Sequence, residues 1–231
     1  MTIDDLPTPC LVLNRPSLLR NIDAMATALT RHNVPLRPHM KTAKSIDVAR
    51  LATAGQPGGI TVSTLAEAEY FAAHGVTDIL YAVGIPPQKL EQVVKLNGAG
   101  AELIVVTDDP ETASCIAAHP AGPRTLIEID TGEGRAGLTP HDPLLIEIAS
   151  RLDERLAGVM THAGHSYTGR MREDMVRFSE AERAGTVRAA ERLLAAGFAV
   201  PIVSVGSSPT ALYRESFQGV TEVRAGVYMF G

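Results

Sequence analysis

Short apolar runs alternate along this chain with longer segments in which apolar residues recur at helical spacing. Runs rich in Val, Ile and Leu predict strands at residues 36–40, 60–64, 79–83, 103–107, 125–130, 157–162, 202–206 and 222–230. Helical spacing predicts helices at residues 46–54, 65–74, 87–96, 110–118, 142–152 and 171–196. Continuously apolar strands that alternate with helices indicate a parallel sheet covered on its faces.

The units after residue 35 number about eight, which is the number that closes a TIM (β/α)8 barrel. An open doubly wound sheet is the alternative, and it is disfavoured because no GxGxxG motif follows an early strand. Ahead of the barrel, residues 8–14 predict a strand and residues 16–32 predict a helix that Asn14 could cap. We therefore expect an N-terminal strand and helix over residues 1–35 and a barrel over residues 36–231.

Composition narrows the possible partners of the chain. Its 231 residues are 45% hydrophobic and 20% charged, the profile of a globular protein with one sizeable core. A net charge of −5 without a basic block argues against nucleic-acid and anionic-membrane partners. No apolar run is long enough for a membrane span, and the start lacks signal-peptide features, so a cytoplasmic location is expected. Cys10 and Cys115 form no CxxC pair, which suggests buried or free thiols in a reducing compartment.

Lys41 occupies a position that favours chemistry. Pro38 holds the preceding run extended, and Ser45 can cap the helix that follows, so Lys41 falls where a strand passes into a loop. In an α/β barrel the carboxyl ends of the strands carry the active site. A lysine there can be a solvated charge, a phosphate ligand, or an amine that forms a Schiff base with a carbonyl compound.

Other chemically capable side chains fall at the same end of the predicted strands. With Lys41 they are His39, Thr64, Gly84, Asp130, Arg135, His162, His165, Tyr167, Ser207, Ser208, Thr210, Arg224 and Gly226. These residues should face one common mouth of the barrel. The HxxH spacing of His162 and His165 is weak evidence for a metal site, and a neutral ring stacked on a planar ligand suits His162 better.

Two glycine-containing stretches suit an oxyanion, and a third brings a cation to the mouth. Residues 206–210 (GSSPT) offer backbone N–H groups and hydroxyls after the seventh strand, and residues 224–228 add a glycine at the eighth. For GSSPT, an ordinary turn with a helix cap is as well supported as an oxyanion site. Residues 130–137 (DTGEGRAG) carry Arg135, which could instead be a solvated arginine on a surface turn.

The motifs PHMKTAKS, ITVSTLAEAEYFAAHGVTDILYAVG, EIDTGEGRAG, MTHAGHSY, VSVGSSPTAL and GVTEVRAGVYMF resemble a known family. It comprises the fold type III pyridoxal-phosphate enzymes of the D-serine dehydratase, D-threo-3-hydroxyaspartate dehydratase and D-threonine aldolase branch, with alanine racemase as a more distant relative. The resemblance implies a barrel of the alanine racemase N-terminal type. It also implies a β-rich C-terminal domain that packs with the first strand of the chain and is absent here.

The resemblance further implies a role for each candidate residue. Lys41 corresponds to the lysine that binds pyridoxal 5'-phosphate covalently, Arg135 to the arginine at the cofactor's phenolic oxygen, and His162 to the ring packed on the pyridine. These three are the implied catalytic residues. Tyr167 and Arg224 correspond to residues near the pyridine nitrogen. The phosphate cup corresponds to Gly206, Ser207, Ser208, Thr210, Gly226 and Val227, with Ser208 in place of the family's usual threonine.

The implied activity is that of a lyase acting on D-β-hydroxy amino acids. A dehydratase that yields a 2-oxo acid and ammonia is favoured. The alternatives are an aldolase that yields glycine and an aldehyde, and a non-catalytic barrel that carries the cofactor. The resemblance also implies a homodimer and a divalent metal, zinc or manganese, held by the absent C-terminal domain; no metal ligand can be assigned in this chain.

Overall fold

The computed structural model describes residues 3–57 and 59–231, and strands alternate with helices through most of them. The strands are β1 (Leu36–Pro38), β2 (Ile60–Val62), β3 (Asp78–Gly84), β4 (Glu102–Thr107), β5 (Thr125–Ile129), β6 (Leu156–Thr161), β7 (Ile202–Val205) and β8 (Glu222–Ala225). The helices are α1 (Arg15–Thr30), α2 (Ile46–Thr53), α3 (Leu65–Ala73), α4 (Leu90–Gly98), α5 (Pro110–Ala118), α6 (Leu144–Leu152), α7 (Arg172–Ala195) and α8 (Ser208–Tyr213).

The strands form one parallel sheet that bends into a nearly closed barrel. Its hydrogen-bonded order is β1, β8, β7, β6, β5, β4, β3 and β2. The two end strands meet through a single parallel bridge between His39 and Thr61, where the Met40 N–H donates to the Thr61 carbonyl at 2.8 Å. The predicted TIM barrel is confirmed.

Side-chain caps begin most helices where the sequence offers a short polar residue. A side-chain oxygen of the cap accepts a backbone N–H three residues on at Asn14, Ser45, Thr64, Asp109 and Ser207. Each bond satisfies a donor that the first helical turn leaves free. The predicted caps at Asn14 and Ser45 are therefore present, and Ser45 ends the loop that carries Lys41.

Two apolar layers hold the barrel together. The larger layer lies between the strands and the surrounding helices and includes Met25, Phe71 and Ile148. A smaller cluster is formed by Leu80, Ile104, Val106, Leu126, Ala157 and Met160. Successive side chains along a strand point to opposite faces, so this second cluster fills the interior of the barrel.

The first predicted strand is wrong. Residues 8–14 form neither a strand nor a helix, and Leu11, Val12 and Leu13 are exposed. Among the residues described, no strand of the sheet lies beside this segment. An apolar run becomes a strand only where a neighbour accepts its hydrogen bonds.

The last predicted strand is too long. Strand β8 stops at Ala225, and Val227–Met229 forms a single 3-10 turn. A short apolar run is equally compatible with a strand and with a buried turn, which explains the difference. The sequence pattern does not predict helix α8 as an element, although it allows the cap at Ser207. Other boundaries differ from prediction by up to three residues.

Among the described residues, no helix is long and apolar enough to cross a membrane. Cys10 and Cys115 are free and exposed, so neither is the buried thiol that the sequence allowed.

Candidate cofactor-binding site

A pocket of about 390 Å³ opens at the carboxyl ends of the strands. It brings together ten of the predicted site residues: Lys41, Arg135, His162, Tyr167, Gly206, Ser207, Ser208, Arg224, Gly226 and Val227. Their sequence positions span most of the barrel, so closure of the sheet is what assembles them. Thr210 lies outside the lining, behind the loop, where its hydroxyl accepts the Ser207 N–H at 3.0 Å.

Lys41 lies at the rim of the pocket in the turn after β1. Partial burial lowers the pKa of its amine, and the positive charges of Arg135 and Arg224 lower the pKa further. A lowered pKa increases the fraction of neutral amine, which is the form that attacks a carbonyl carbon. The local electrostatics therefore suit covalent chemistry at Lys41 better than a simple ion pair.

His39 and His162 place two uncharged rings in the pocket. Burial, followed by the charge of Lys41, lowers the pKa of His39 to about 3. Burial also lowers the pKa of His162, whose Nδ1 lies 3.0 Å from the Gly206 carbonyl. Because a carbonyl can only accept, His162 carries its proton on Nδ1. Sequence reasoning places His39 at the mouth but assigns it no role.

Arg135 reaches the pocket from a loop organised by Asp130. One carboxylate oxygen of Asp130 accepts the N–H groups of Gly132 at 2.9 Å, Glu133 at 2.9 Å and Gly134 at 3.1 Å. These bonds lower the pKa of Asp130 despite its partial burial, and they fix the loop as a tight turn. The Arg135 side chain is 56% exposed and lies 3.4 Å from Glu133. Its guanidinium is therefore available to a ligand.

The loop after β7 combines a helix cap with pocket-lining backbone. Ser207 and Thr210 exchange hydrogen bonds between their side chains and N–H groups, so the capping alternative is realised. The Ser208 N–H donates to the Tyr167 hydroxyl at 3.4 Å, a long bond that an anion could replace. A Cβ on Gly226 would lie 2.7 Å from the His39 carbonyl, so backbone closes the far wall.

Arg224 is a buried cation beneath the pocket. Its guanidinium donates to the Ser204 hydroxyl at 2.6 Å and to the Thr161 carbonyl at 2.5 Å. The Ser204 hydroxyl in turn donates to Glu222, which also accepts from Arg37. Complete burial lowers the pKa of Arg224 from its ordinary value, and the nearby Glu222 carboxylate raises it. This network balances the charge inside the barrel.

Glu128 is a pocket residue that sequence reasoning missed. It lies on β5, is 6% exposed, and shares the pocket with Arg135 and Arg224. Burial, followed by the negative charge of Asp108, raises its pKa above the usual glutamate value. The sequence signal was a single charged residue within the apolar run LIEI, two positions before Asp130.

The described residues contain no group of three or more His, Cys, Asp or Glu side chains that could hold a metal ion. The HxxH pair does not form such a group: the His165 ring packs edge-on against Phe178 with ring centroids 4.9 Å apart. His162, in contrast, lines the pocket.

His39→Gln should weaken the acid sensitivity of the fold. The folded His39 stays neutral down to about pH 3, whereas an unfolded histidine takes up a proton near pH 6.5. The unfolded state therefore binds more protons between these values, and stability is lost as the pH falls below about 6.5. Urea unfolding at pH 7 and pH 5 should show that the variant loses about 2 kcal/mol less than the wild type.

His141→Gln, which alters an exposed histidine, is the matched control for this measurement. Equal losses in the wild type and in His39→Gln would contradict a buried neutral ring at position 39.

Both the sequence and the fold of this chain are similar to those of known proteins. The family described as alanine racemase, N-terminal domain, matches residues 13–231. D-threo-3-hydroxyaspartate dehydratase of Delftia sp. strain HT23 is 46% identical over 99% of this chain and 62% of its own length. Its solved structure superimposes with a TM-score of 0.95 over 98% of this chain and 62% of that one. 3-Hydroxy-D-aspartate aldolase of Paracoccus denitrificans strain Pd 1222 is 32% identical over 100% of this chain and 62% of its own length.

Proposed function

The chain belongs to the alanine racemase N-terminal domain family, and on that premise we propose that its barrel binds pyridoxal 5'-phosphate for a lyase that acts on D-β-hydroxy amino acids. The observation that carries the proposal is the pocket that collects Lys41, Arg135, His162 and the glycine loops. These residues come from five separate strand ends, those of β1, β5, β6, β7 and β8. An ordinary surface lysine would not have such neighbours.

The donor set of the pocket fits this cofactor. Lys41 offers an amine with a lowered pKa for the aldehyde carbon, and the neutral His162 ring offers a flat surface for a heteroaromatic ring. Gly206, Ser207, Ser208 and Gly226 line one wall of the pocket, so a phosphate at this wall would meet backbone and the two serine side chains. Arg135 would contact the phenolic oxygen, and Arg224 would lie nearest the pyridine nitrogen. The Tyr167 hydroxyl accepts the Ser208 N–H, so Tyr167 would meet the phosphate rather than that nitrogen.

The reaction follows from which substrate bond is broken. When bound, the cofactor withdraws electrons from the substrate's Cα, which makes a bond at that atom easier to break. The Lys41 amine is the base that we assign to the Cα proton, because its lowered pKa leaves Nζ able to accept a proton. Loss of that proton and of the β-hydroxyl eliminates water, and hydrolysis of the remaining carbon–nitrogen bond then yields a 2-oxo acid and ammonia. Cleavage between Cα and Cβ instead yields glycine and an aldehyde.

The dehydratase is favoured over the aldolase. The dehydratase relative is 46% identical to this chain and the aldolase relative 32%. The chain spans about 62% of the length of these relatives. A cytoplasmic homodimer and a divalent metal held outside residues 1–231 remain parts of the proposal. A barrel that carries the cofactor without catalysis is the competing function.

The purified gene product, supplied with cofactor and D-threo-3-hydroxyaspartate, tests the assignment. Oxaloacetate and ammonia in equal amounts would support the dehydratase, and glyoxylate with glycine would support the aldolase. Cofactor binding without either pair of products, with or without added zinc or manganese, would favour the carrier.

Arg135→Ala should change the spectral titration of the bound cofactor. A cation beside the phenolic oxygen favours its ionised form, so removal of Arg135 should raise the pKa of the visible absorbance change. Arg135→Lys should restore part of the shift, because an ammonium keeps the charge but lacks the planar fork of a guanidinium. The measurement is absorbance against pH.

Arg177→Ala is the control for the Arg135 variants, since Arg177 is an exposed arginine paired with Asp174. If both Arg135 variants titrate like the wild type, Arg135 belongs to an ordinary surface turn.

A further inference from the structure

A buried ion pair lies directly behind the loop that begins at Gly206. Glu182 on α7 is 0% exposed, and the Arg214 side chain is 1% exposed. Arg214 donates to one carboxylate oxygen of Glu182 and, at 2.6 Å, to the Ser179 carbonyl. Neither residue lines the pocket, and the proposed reaction does not use them.

The second carboxylate oxygen of Glu182 holds the loop. It accepts the Gly206 N–H at 2.9 Å, while the Gly206 carbonyl accepts the His162 Nδ1–H at 3.0 Å. Gly206 has a φ of 137° and no room for a Cβ beside the Arg224 carbonyl. The two peptide groups flanking its Cα are thus fixed from opposite sides. One links to Glu182 and the other to the ring of His162.

Stability alone does not account for a charge at this position. Burial of a carboxylate and a guanidinium costs several kcal/mol, and well-packed apolar residues often replace such a pair without loss of stability. An apolar side chain, however, could not accept the Gly206 N–H. The carboxylate supplies a strong acceptor aimed at one peptide group of the loop.

We propose that Glu182 is a positioning residue that acts through Gly206 on two parts of the site, an inference that rests on the proposed function. It orients the loop that would meet the cofactor phosphate. It also keeps the Gly206 carbonyl where it selects the Nδ1–H tautomer of His162, which leaves Nε2 of the neutral ring without a proton.

Glu182→Leu combined with Arg214→Met removes the acceptor and keeps the charge balance. Glu182→Gln is the smaller change, because glutamine has nearly the same shape as glutamate. Both Arg214 and the Gly206 N–H are donors, so the NH2 group of the glutamine leaves one of them without an acceptor. Glu180→Gln is the matched control, because Glu180 lies on the same helix and pairs with Arg183 at the surface.

Two readouts are made without cofactor and one with it. The 15N shifts of His162 report its tautomer, and the amide shift of Gly206 reports its hydrogen bond. The third readout compares the Kd of pyridoxal phosphate with the Kd of pyridoxal, which lacks the phosphate.

In the double variant we expect the Gly206 amide shift to move, His162 to populate the Nε2–H tautomer, and the Kd of pyridoxal phosphate to rise about tenfold. The Kd of pyridoxal should rise less, because the loop acts on the phosphate. Glu182→Gln should change the same three quantities in the same direction, and it carries the test if the double variant does not fold. Glu180→Gln should match the wild type.

Wild-type tautomer and Kd values in the folded Glu182 variants would overturn the inference and assign the pair to stability alone. Failure of the wild type to bind pyridoxal phosphate would overturn the proposed function instead. The cofactor-free shifts of Gly206 and His162 would still decide whether Glu182 holds the loop.

Discussion

Lys41→Ala is expected to abolish covalent attachment of pyridoxal phosphate and the visible absorbance that accompanies it. Among the described residues no other lysine lines the pocket, and the lowered pKa of Lys41 favours the neutral amine that the chemistry needs. After borohydride reduction, the Lys41→Ala protein should carry no covalently attached cofactor. Loss of the covalent bond should also weaken binding by more than about tenfold, because only contacts to the phosphate and ring remain.

Absorbance after dialysis, borohydride reduction and peptide mapping measure this result. Lys44→Ala is the matched control: Lys44 lies in the same turn, but its amine pairs with Glu67 and its side chain is 60% exposed. Label mapped to Lys44 in the wild type would contradict the assignment of Lys41. A labelled Lys41→Ala protein would contradict it as well.

The strands and the lysine are predictable because their signals are local. Most strands are short runs rich in Val, Ile and Leu, and the polar residues that follow them mark the mouth of the barrel. The position of a residue at the end of a predicted strand is therefore enough to predict most of the residues that line the pocket. Even the three-residue strand β1 is recognisable, because Pro38 keeps its end extended and Ser45 marks the start of the next helix.

Contacts between distant segments are not predictable in this way. Glu182 lies at helical spacing from the buried Met175 and Ala189, whereas Glu180 does not. The spacing can place Glu182 on the inner face of α7, but only the packing of α7 under the loop at Gly206 shows which groups its carboxylate contacts. Residues 8–14 illustrate the converse, because an apolar run has no strand partner among the residues described.

The polar interior of the barrel is likewise hidden in the sequence. Arg37 lies on β1 and donates to Glu222 on β8, a strand that is distant in sequence but pairs with β1 in the sheet. The hydroxyl of Ser204 connects Glu222 to Arg224. The Arg37 guanidinium is further satisfied by Asp78 at 2.7 Å. Buried charges persist where each has a partner, so this network keeps Arg224 charged directly beneath the pocket.

Gly206→Ala should destabilise the protein and weaken cofactor binding together. At a φ of 137° an alanine is strained, and its Cβ would lie 2.1 Å from the Arg224 carbonyl. We expect a loss of about 3 kcal/mol or more in the free energy of unfolding. The loop must also move away from β8, so the Kd of pyridoxal phosphate should rise at least about tenfold in the folded fraction.

Gly158→Ala separates the two effects. Gly158 has a φ of 135°, and its added Cβ would lie 2.0 Å from the Ile202 carbonyl, in the pairing of β6 with β7 away from the pocket lining. Backbone strain and steric overlap are thus matched, and urea unfolding should show similar losses for both alanine variants. Cofactor titration at about 10 °C, where the folded fraction is largest, should then show a raised Kd for Gly206→Ala alone. If the two variants bind the cofactor equally well, the loop at Gly206 supports the barrel without forming the phosphate wall.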